Sequence, residues 1–343
     1  MKQEITKTRR RATFGLALAA ALAVAGAGNA VAADRAPVTV SLISAPFGTG
    51  SYVLGSALEE ISKKNHPWLR VSHAESPGFV FNIRKLDREP DLKKSMIVGS
   101  GAGVVGLATI GEKPFDKKYP PLKLLANYNL TAVWLATLNP NIKSINDLAG
   151  KKIALGRAPQ INWAVQPEWT IRYGWEIPAD QVKVQYVGTK EAVDALLDGT
   201  ADAAVVGGYF DPLTNKLELS PQTVEFLASG RKVYHLSWGA EAVRKTIAKG
   251  MNMVPVTIPA NTLPGVGTPM EIFADSAAWM VAPEFPEDLA YETTKMIIAN
   301  LKAFAEVHAL GKLMSTAAMP YGTDPKDIHP GALRAYREAG IVK

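Results

Sequence analysis

The sequence has no cysteine in 343 residues. That excludes thiol catalysis, thiolate-ligated metals, disulfide staples and lipid attachment to an N-terminal cysteine. Histidine is scarce, and its five positions (His66, His73, His235, His308 and His329) offer no H-E-x-x-H spacing. No G-x-S-x-G occurs either, so both the zincin helix and the hydrolase elbow are missing. His73 beside Glu75 is the only His and acid pair close enough to share a strand face. A membrane-length apolar run is also absent. The longest, Phe14 to about Ala27, has about 14 residues, whereas a spanning helix needs roughly 20.

That short run is instead the middle of a signal peptide. Lys2, Lys7, Arg9, Arg10 and Arg11 precede it, and Ala30-Val31-Ala32 supplies the small residues before a cut near Ala32. The sequence therefore predicts export to the periplasm, by the Sec route or, given the paired arginines, the twin-arginine route. Residues 1–32 contribute +4 to the formal net charge of +6, leaving about +2 for the rest. With so little charge left, no nucleic-acid footprint remains. The remaining 300-odd residues suffice for two lobes.

From Val38 the pattern alternates strand and helix. Val38–Ile43 is a β-branched run, followed by a loop with Gly48, Thr49, Gly50, Ser51 and Tyr52 and then an apolar-periodic helix. Glycines there let the backbone approach a ligand, and Thr49 or Ser51 can cap the helix. Leu69–Ser72 is a second strand, after which Pro77 and Gly78 introduce a helix showing Phe79, Phe81 and Asn82. A β-α-β-α start predicts a parallel sheet with its loops gathered on one rim. Gly101, Gly103 and Gly106 form a literal G-x-G-x-x-G. It lies third in the βα series, and Pro114, Pro120 and Pro121 break the unit that would place an acid on a ribose, so a dinucleotide site is not expected. Ser100 and Gly101 are kept as rim candidates.

The most informative stretch runs from Asn141 to Trp163. Residues 142–150 read as a short helix capped by Ser144 and ended by Gly150, and 151–155 as a strand. Residues 156–163 read as a loop opening onto a helix at about 164–173. A loop at the carboxyl end of a strand, leading into a helix N-terminus, is suited to an anion. Arg157 in that loop is placed to pair with a carboxylate, with Gln160, Asn162 and Trp163 beside it. Ala203–Val206 reads as a buried strand that Gly207 and Gly208 end at the same rim, next to Tyr209 and Phe210.

The order of these segments resembles the TAXI group of solute-binding proteins of TRAP transporters, within the type II periplasmic binding proteins. The resemblance is carried by Gly48-Thr49-Gly50-Ser51-Tyr52 with Leu54-Gly55, by Gly78, Asn82 and Leu86, and by Ser144 with Asp147-Leu148-Ala149-Gly150-Lys151-Lys152-Ile153-Ala154. Asp198-Gly199 with Asp202-Ala203, and Ile258-Pro259-Ala260-Asn261-Thr262 with Pro264-Gly265, complete it. It spans nearly the whole chain after the leader. Two places depart from the group: Arg157 to Trp163 replaces a small Gly-Ser-Gly-Thr-like loop, and Gly78-Phe79 replaces a Gly-Ser pair.

The resemblance implies a two-lobed α/β clamp with a ligand cleft between lobes joined by hinge strands. Lobe 1 would comprise residues 34–130 plus 281–343 and lobe 2 residues 131–280. It implies a periplasmic monomer that binds a small organic acid or amino acid and delivers it to TRAP membrane subunits, with no catalysis, cofactor or metal. Trp163, Phe79, Tyr209 and Phe210 would suit an apolar or aromatic body on that acid. A ligand sensor reporting to a membrane partner would use the same clamp, and a periplasmic enzyme is the more distant alternative.

Overall fold

A computed structural model describes residues 35–47, 49–158 and 160–343. The leader expected at 1–32, and the ligand contact expected at Gly48, lie outside them. Five strands build the first half of the sheet's connectivity: β1 (Val38–Ile43), β2 (Leu69–Ala74), β3 (Met96–Gly101), β4 (Lys123–Thr137) and β5 (Lys152–Leu155). Six follow: β6 (Lys183–Tyr186), β7 (Ala203–Asp211), β8 (Lys216–Leu219), β9 (Tyr234–Leu236), β10 (Val254–Ile258) and β11 (Met270–Val281). All belong to one mixed sheet with the order β2-β1-β3-β11-β4-β7-β5-β6, while β10, β8 and β9 flank β11, β7 and β4.

The helices are α1 (Gly50–Asn65), α2 (Phe79–Arg88), α3 (Ala102–Ile110), α4 (Val165–Trp169), α5 (Thr189–Leu197), α6 (Pro221–Ala228), α7 (Ala240–Ala248), α8 (Glu287–Ala299), α9 (Leu301–Val307) and α10 (Pro330–Glu338). Among the described residues no helix is long and apolar enough to cross a membrane. The expected α/β class with a parallel start holds, because β1 pairs parallel with both β2 and β3.

β4 and β11 explain how two such units become one molecule. β4 is buried along its whole length except at Lys123, so both its faces are covered and its sequence is almost continuously apolar. β11 pairs antiparallel with β3 through Ala277–Val281 and with β4 through Phe273–Val281. β4 in turn pairs with β7 through Thr131–Ala136, and β7 runs parallel to β5. These two long strands are thus shared between a β1-β2-β3 unit and a β5-β6-β7 unit. Their mutual ladder slips between Ala277 and Ala278, where Tyr128 stands opposite no partner, and such a bulge adds local twist.

Several local expectations are corrected. Asp147, not Ser144, does the capping: its Oδ2 accepts from the N–H of Lys143 and of Ser144 at 2.9 Å, and the helix is one 3₁₀ turn, Ile145–Leu148. Gly207 and Gly208 do not end their strand. They sit mid-strand opposite Val133 and Ala132, and the ladder runs on to Asp211 because β8 folds back on it. The helix expected at 164–173 is α4 followed by a wider π turn over Thr170–Gly174.

Candidate functional site

The loops after β1, β2, β3 and β5 converge on a cleft of about 420 Å³ where the two units meet. The β1 loop brings Ala45, Pro46, Thr49, Gly50 and Ser51. Thr49 caps α1 by accepting the N–H of Tyr52 at 3.2 Å and gives its own proton to the Pro46 carbonyl at 2.8 Å, which fixes the loop. Ser51 is held from behind by the hydroxyl of Tyr128, which donates at 2.9 Å from the bulge in β4. The β2 loop contributes Pro77, Gly78, Phe79, Val80 and Phe81, and the β3 end contributes Gly101 and Val104. From the other unit come Gln160, Ile161, Asn162, Trp163 and Tyr209. The floor is the shared pair of strands, with Asn129 and Thr131 on β4 and Asp275, Ser276 and Ala277 on β11, and Leu310 closes one side.

Of the residues singled out in the sequence, Thr49, Gly50, Ser51, Phe79, Gly101, Gln160, Asn162, Trp163 and Tyr209 line this cleft. The others have different places. Tyr52 turns away and packs edge-on against Phe47 and His73, at 5.0 and 4.8 Å between ring centres. Asn82 is fully buried, donating to the carbonyls of Ser44 and Gly99 at 2.7 Å each, and so ties α2 to β1 and β3. Ser100 is buried within β3 with its hydroxyl unpartnered. Gly208 lies against the backbone of Glu218 in β8, and Phe210 faces Tyr321 on the other side of its strand.

Gly207 supports the site without touching the solute space. A Cβ there would meet the Ala132 carbonyl and come within 2.8 Å of the Trp163 indole, so glycine is what lets the ring lie flat on β7.

Arg157 stands outside the cleft. Its side chain is 67% exposed, and its guanidinium donates to the Val187 carbonyl at 3.3 Å and to Glu191 at 3.4 Å. The expected anion-binding helix end is not there either. α4 has five residues, and the N–H groups of Trp163 and Ala164 are taken by the Gln160 carbonyl while that of Gln166 is taken by Ile161. The Arg157 loop is instead closed on itself, with Gly156 N–H donating to Trp163 at 2.9 Å and Arg157 N–H donating to the Gln160 side chain at 2.8 Å.

Asp275 is the residue that sequence inspection passed over. It is 4% exposed, and its Oδ1 accepts the N–H of Gly103 at 2.9 Å, while Ser276 Oγ accepts that of Ala102 at 3.2 Å. The two side chains together cap α3 from a neighbouring strand. Burial pushes the Asp275 carboxyl up to about 7, against the pull of the Gly103 and Ser276 N–H groups and the Gln166 amide. Tyr209 is likewise pushed up by burial. The available signal was an acid inside an otherwise apolar run, Ile272 to Val281, since acids are rarely fully buried without a purpose.

The G-x-G-x-x-G now has an account of its own. Side chains at Gly101, Gly103 and Gly106 would collide with the Ser276 carbonyl, the Gln166 amide and the 250–252 backbone respectively. The glycines let α3 press against the other unit, and nothing about them requires a phosphate. Behind α3 a larger cavity of about 520 Å³ lies between Gly106, Asn252, Val254 and Gly322, away from the strand-end loops. His73 is a satisfied structural histidine, hydrogen-bonded to Ser44 at 2.7 Å and Ser56 at 3.0 Å, and burial lowers its pKa.

Two α/β units sharing long central strands, with a polar and aromatic cleft at their junction, define a two-lobed solute-binding fold. The chain belongs to the NMT1-like family, whose model matches residues 42–340. Among solved structures it is similar to a TctC solute-binding protein from Polaromonas, at 14% identity over 82% of this chain and 88% of that one, with a TM-score of 0.48. It is also similar to MatC from Rhodopseudomonas palustris with bound malate, at 13% identity over 90% of this chain and 100% of that one, TM-score 0.47. A further R. palustris protein, solved with adipate, matches at 13% identity over 89% and 96% of the two chains, TM-score 0.47.

Proposed function

We propose that this protein is a periplasmic solute-binding subunit that captures a small organic solute in the cleft and delivers it to TRAP-type membrane subunits. The observation that carries this reading is the convergence of four strand-end loops and Tyr209 on one cavity floored by the two shared strands. A cavity of about 420 Å³ falls in the range of small-molecule sites, roughly 300–1,000 Å³. Residues 34–130 plus 281–343 would move as one lobe and 131–280 as the other, with the slip in the β4 and β11 ladder near Tyr128 as the hinge. The protein works as a monomer and performs no chemistry on what it binds. TRAP delivery rests on the sequence resemblance; a sensor would use the same cleft and differ only in its membrane partner.

An acid gripped by Arg157 is the version of this reading with least support, because that guanidinium is engaged with Glu191 and Val187. Arg157→Ala is therefore expected to bind solute within about twofold of the wild type. The test is a thermal-shift panel of amino acids, dicarboxylates, aromatic acids and aromatic amines on both proteins. At ~100 times its Kd a true ligand adds about 2.7 kcal/mol, which raises the melting temperature by several degrees. A panel in which nothing shifts the wild type would overturn the binding reading. A shift lost only in Arg157→Ala would restore the arginine.

A further inference from the structure

The charge of the cleft points to a class of solute, given that the cleft is the binding site as proposed above. Among its described lining residues there is no lysine, arginine or histidine, and the only carboxylate is Asp275. An anionic solute would therefore meet a buried acid with no cation nearby to offset it. A cationic one would meet its natural partner in a setting shielded from water, where such a pair is strongest. Asp275 also has capacity to spare. A carboxylate offers about four acceptor positions, and the Gly103 N–H, the Ser276 N–H and the Gln166 amide use three. Phe79, Phe81, Trp163 and Tyr209 add ring faces and edges around the same space, and ring faces attract cations.

We propose that the solute carries a cationic nitrogen, an ammonium or amidinium group on an apolar or aromatic body, and that Asp275 on β11 receives it. Asp275 then has two duties, as the cap of α3 and as the specificity-determining contact. Because α3 belongs to the β1-β2-β3 unit, engaging the solute through Asp275 couples occupancy to the seam between the units.

Three probes of one shape test this: phenethylamine, 2-phenylethanol and 3-phenylpropionate, titrated calorimetrically at pH 8. The amine is expected to bind at least tenfold more tightly than the alcohol, with the propionate weakest. Asp275→Asn keeps an oxygen for the Gly103 N–H and is expected to bring the amine down to the level of the alcohol. Wild-type protein supplies a second readout that does not depend on the variant folding. Lowering the pH from 8 to 5 protonates Asp275 and should weaken the amine at least tenfold while leaving the alcohol unchanged. The groups facing Asp275 are Gly103 on α3, Gln166 on α4, Thr131 on β4 and Ser276 beside it, none of which titrates in that range. Tyr209, pushed upward, stays neutral throughout. Propionate binding as well as the amine, or amine binding indifferent to both Asp275→Asn and pH, would overturn the proposal. If none of the three binds while a dicarboxylate or amino acid does, the cationic class falls and the solute site stands. If neither these probes nor the wider panel binds, both fall.

Discussion

Asn82→Leu is expected to lower the melting temperature by roughly 5–10 °C while leaving solute affinity within a few fold. The side-chain amide of Asn82 is fully buried and gives both protons away, one to the Ser44 carbonyl at the end of β1 and one to the Gly99 carbonyl in β3. Leucine fills nearly the same volume and donates nothing, so two buried carbonyls lose their partners at about 1–3 kcal/mol each. Part of that is recovered, since the Asn82 Oδ1 has no partner of its own and its removal relieves a desolvated acceptor. The net cost should lie near the lower half of about 2–6 kcal/mol. Asn82→Asp should do worse, because it turns acceptors toward acceptors. A melting temperature within about 2 °C of wild type for Asn82→Leu would mean that the tie is not structural, and would return Asn82 to the list of ligand contacts.

Trp163→Ala should weaken every solute that stabilises the wild type by roughly 30-fold or more, the cost of truncating a central aromatic contact at about 2 kcal/mol or above. The indole is nine-tenths buried and rests on Gly207 from one side and Gly156 from the other, with its remaining face turned to the cleft. Its removal also opens a void in the core, so a loss of about 3–5 kcal/mol in stability accompanies the loss of binding. Trp163→Phe separates the two effects. It keeps most of the packing, and should recover most of the stability while still binding several fold more weakly, because the smaller ring does not reach as far over the cleft. Calorimetry on both variants with one stabilising solute checks this, and equal affinity across all three proteins would remove Trp163 from the site.

The alternation of strands and helices made the α/β class legible, as it did the gathering of the 49–51, 79, 101 and 160–163 segments on one rim. Two kinds of information were not legible. The first is which neighbour of an adjacent pair points inward. Tyr209 and Phe210 both read as rim aromatics, yet side chains alternate across a strand, so only Tyr209 can face the cleft while Phe210 packs toward Tyr321. The same rule separates Gly101 from Ser100. Helix geometry does the equivalent for Ser51 and Tyr52, sending the tyrosine toward His73. The second is the part played by strands read only as scaffold. Asn129, Thr131, Asp275 and Ser276 floor the cleft from β4 and β11, and in a run such as Phe273-Ala274-Asp275-Ser276-Ala277 their polarity looked like an interruption rather than a message. Arg157 shows the converse, since a loop residue's position in the chain says nothing about where five rotatable bonds send its charge.

The lack of native cysteine allows the central claim, that the two units close on a solute, to be measured directly. Phe47 on the first unit and Val224 on the second are exposed, at 76% and 52%, and accept Phe47→Cys and Val224→Cys with spin labels at little cost. Pulsed electron double resonance on that pair, with and without a solute that raises the melting temperature, reads the separation of the lobes. Clamp closure predicts that the bound protein gives a narrower distance distribution centred at a shorter separation. An unchanged distribution in protein shown to be saturated would contradict it.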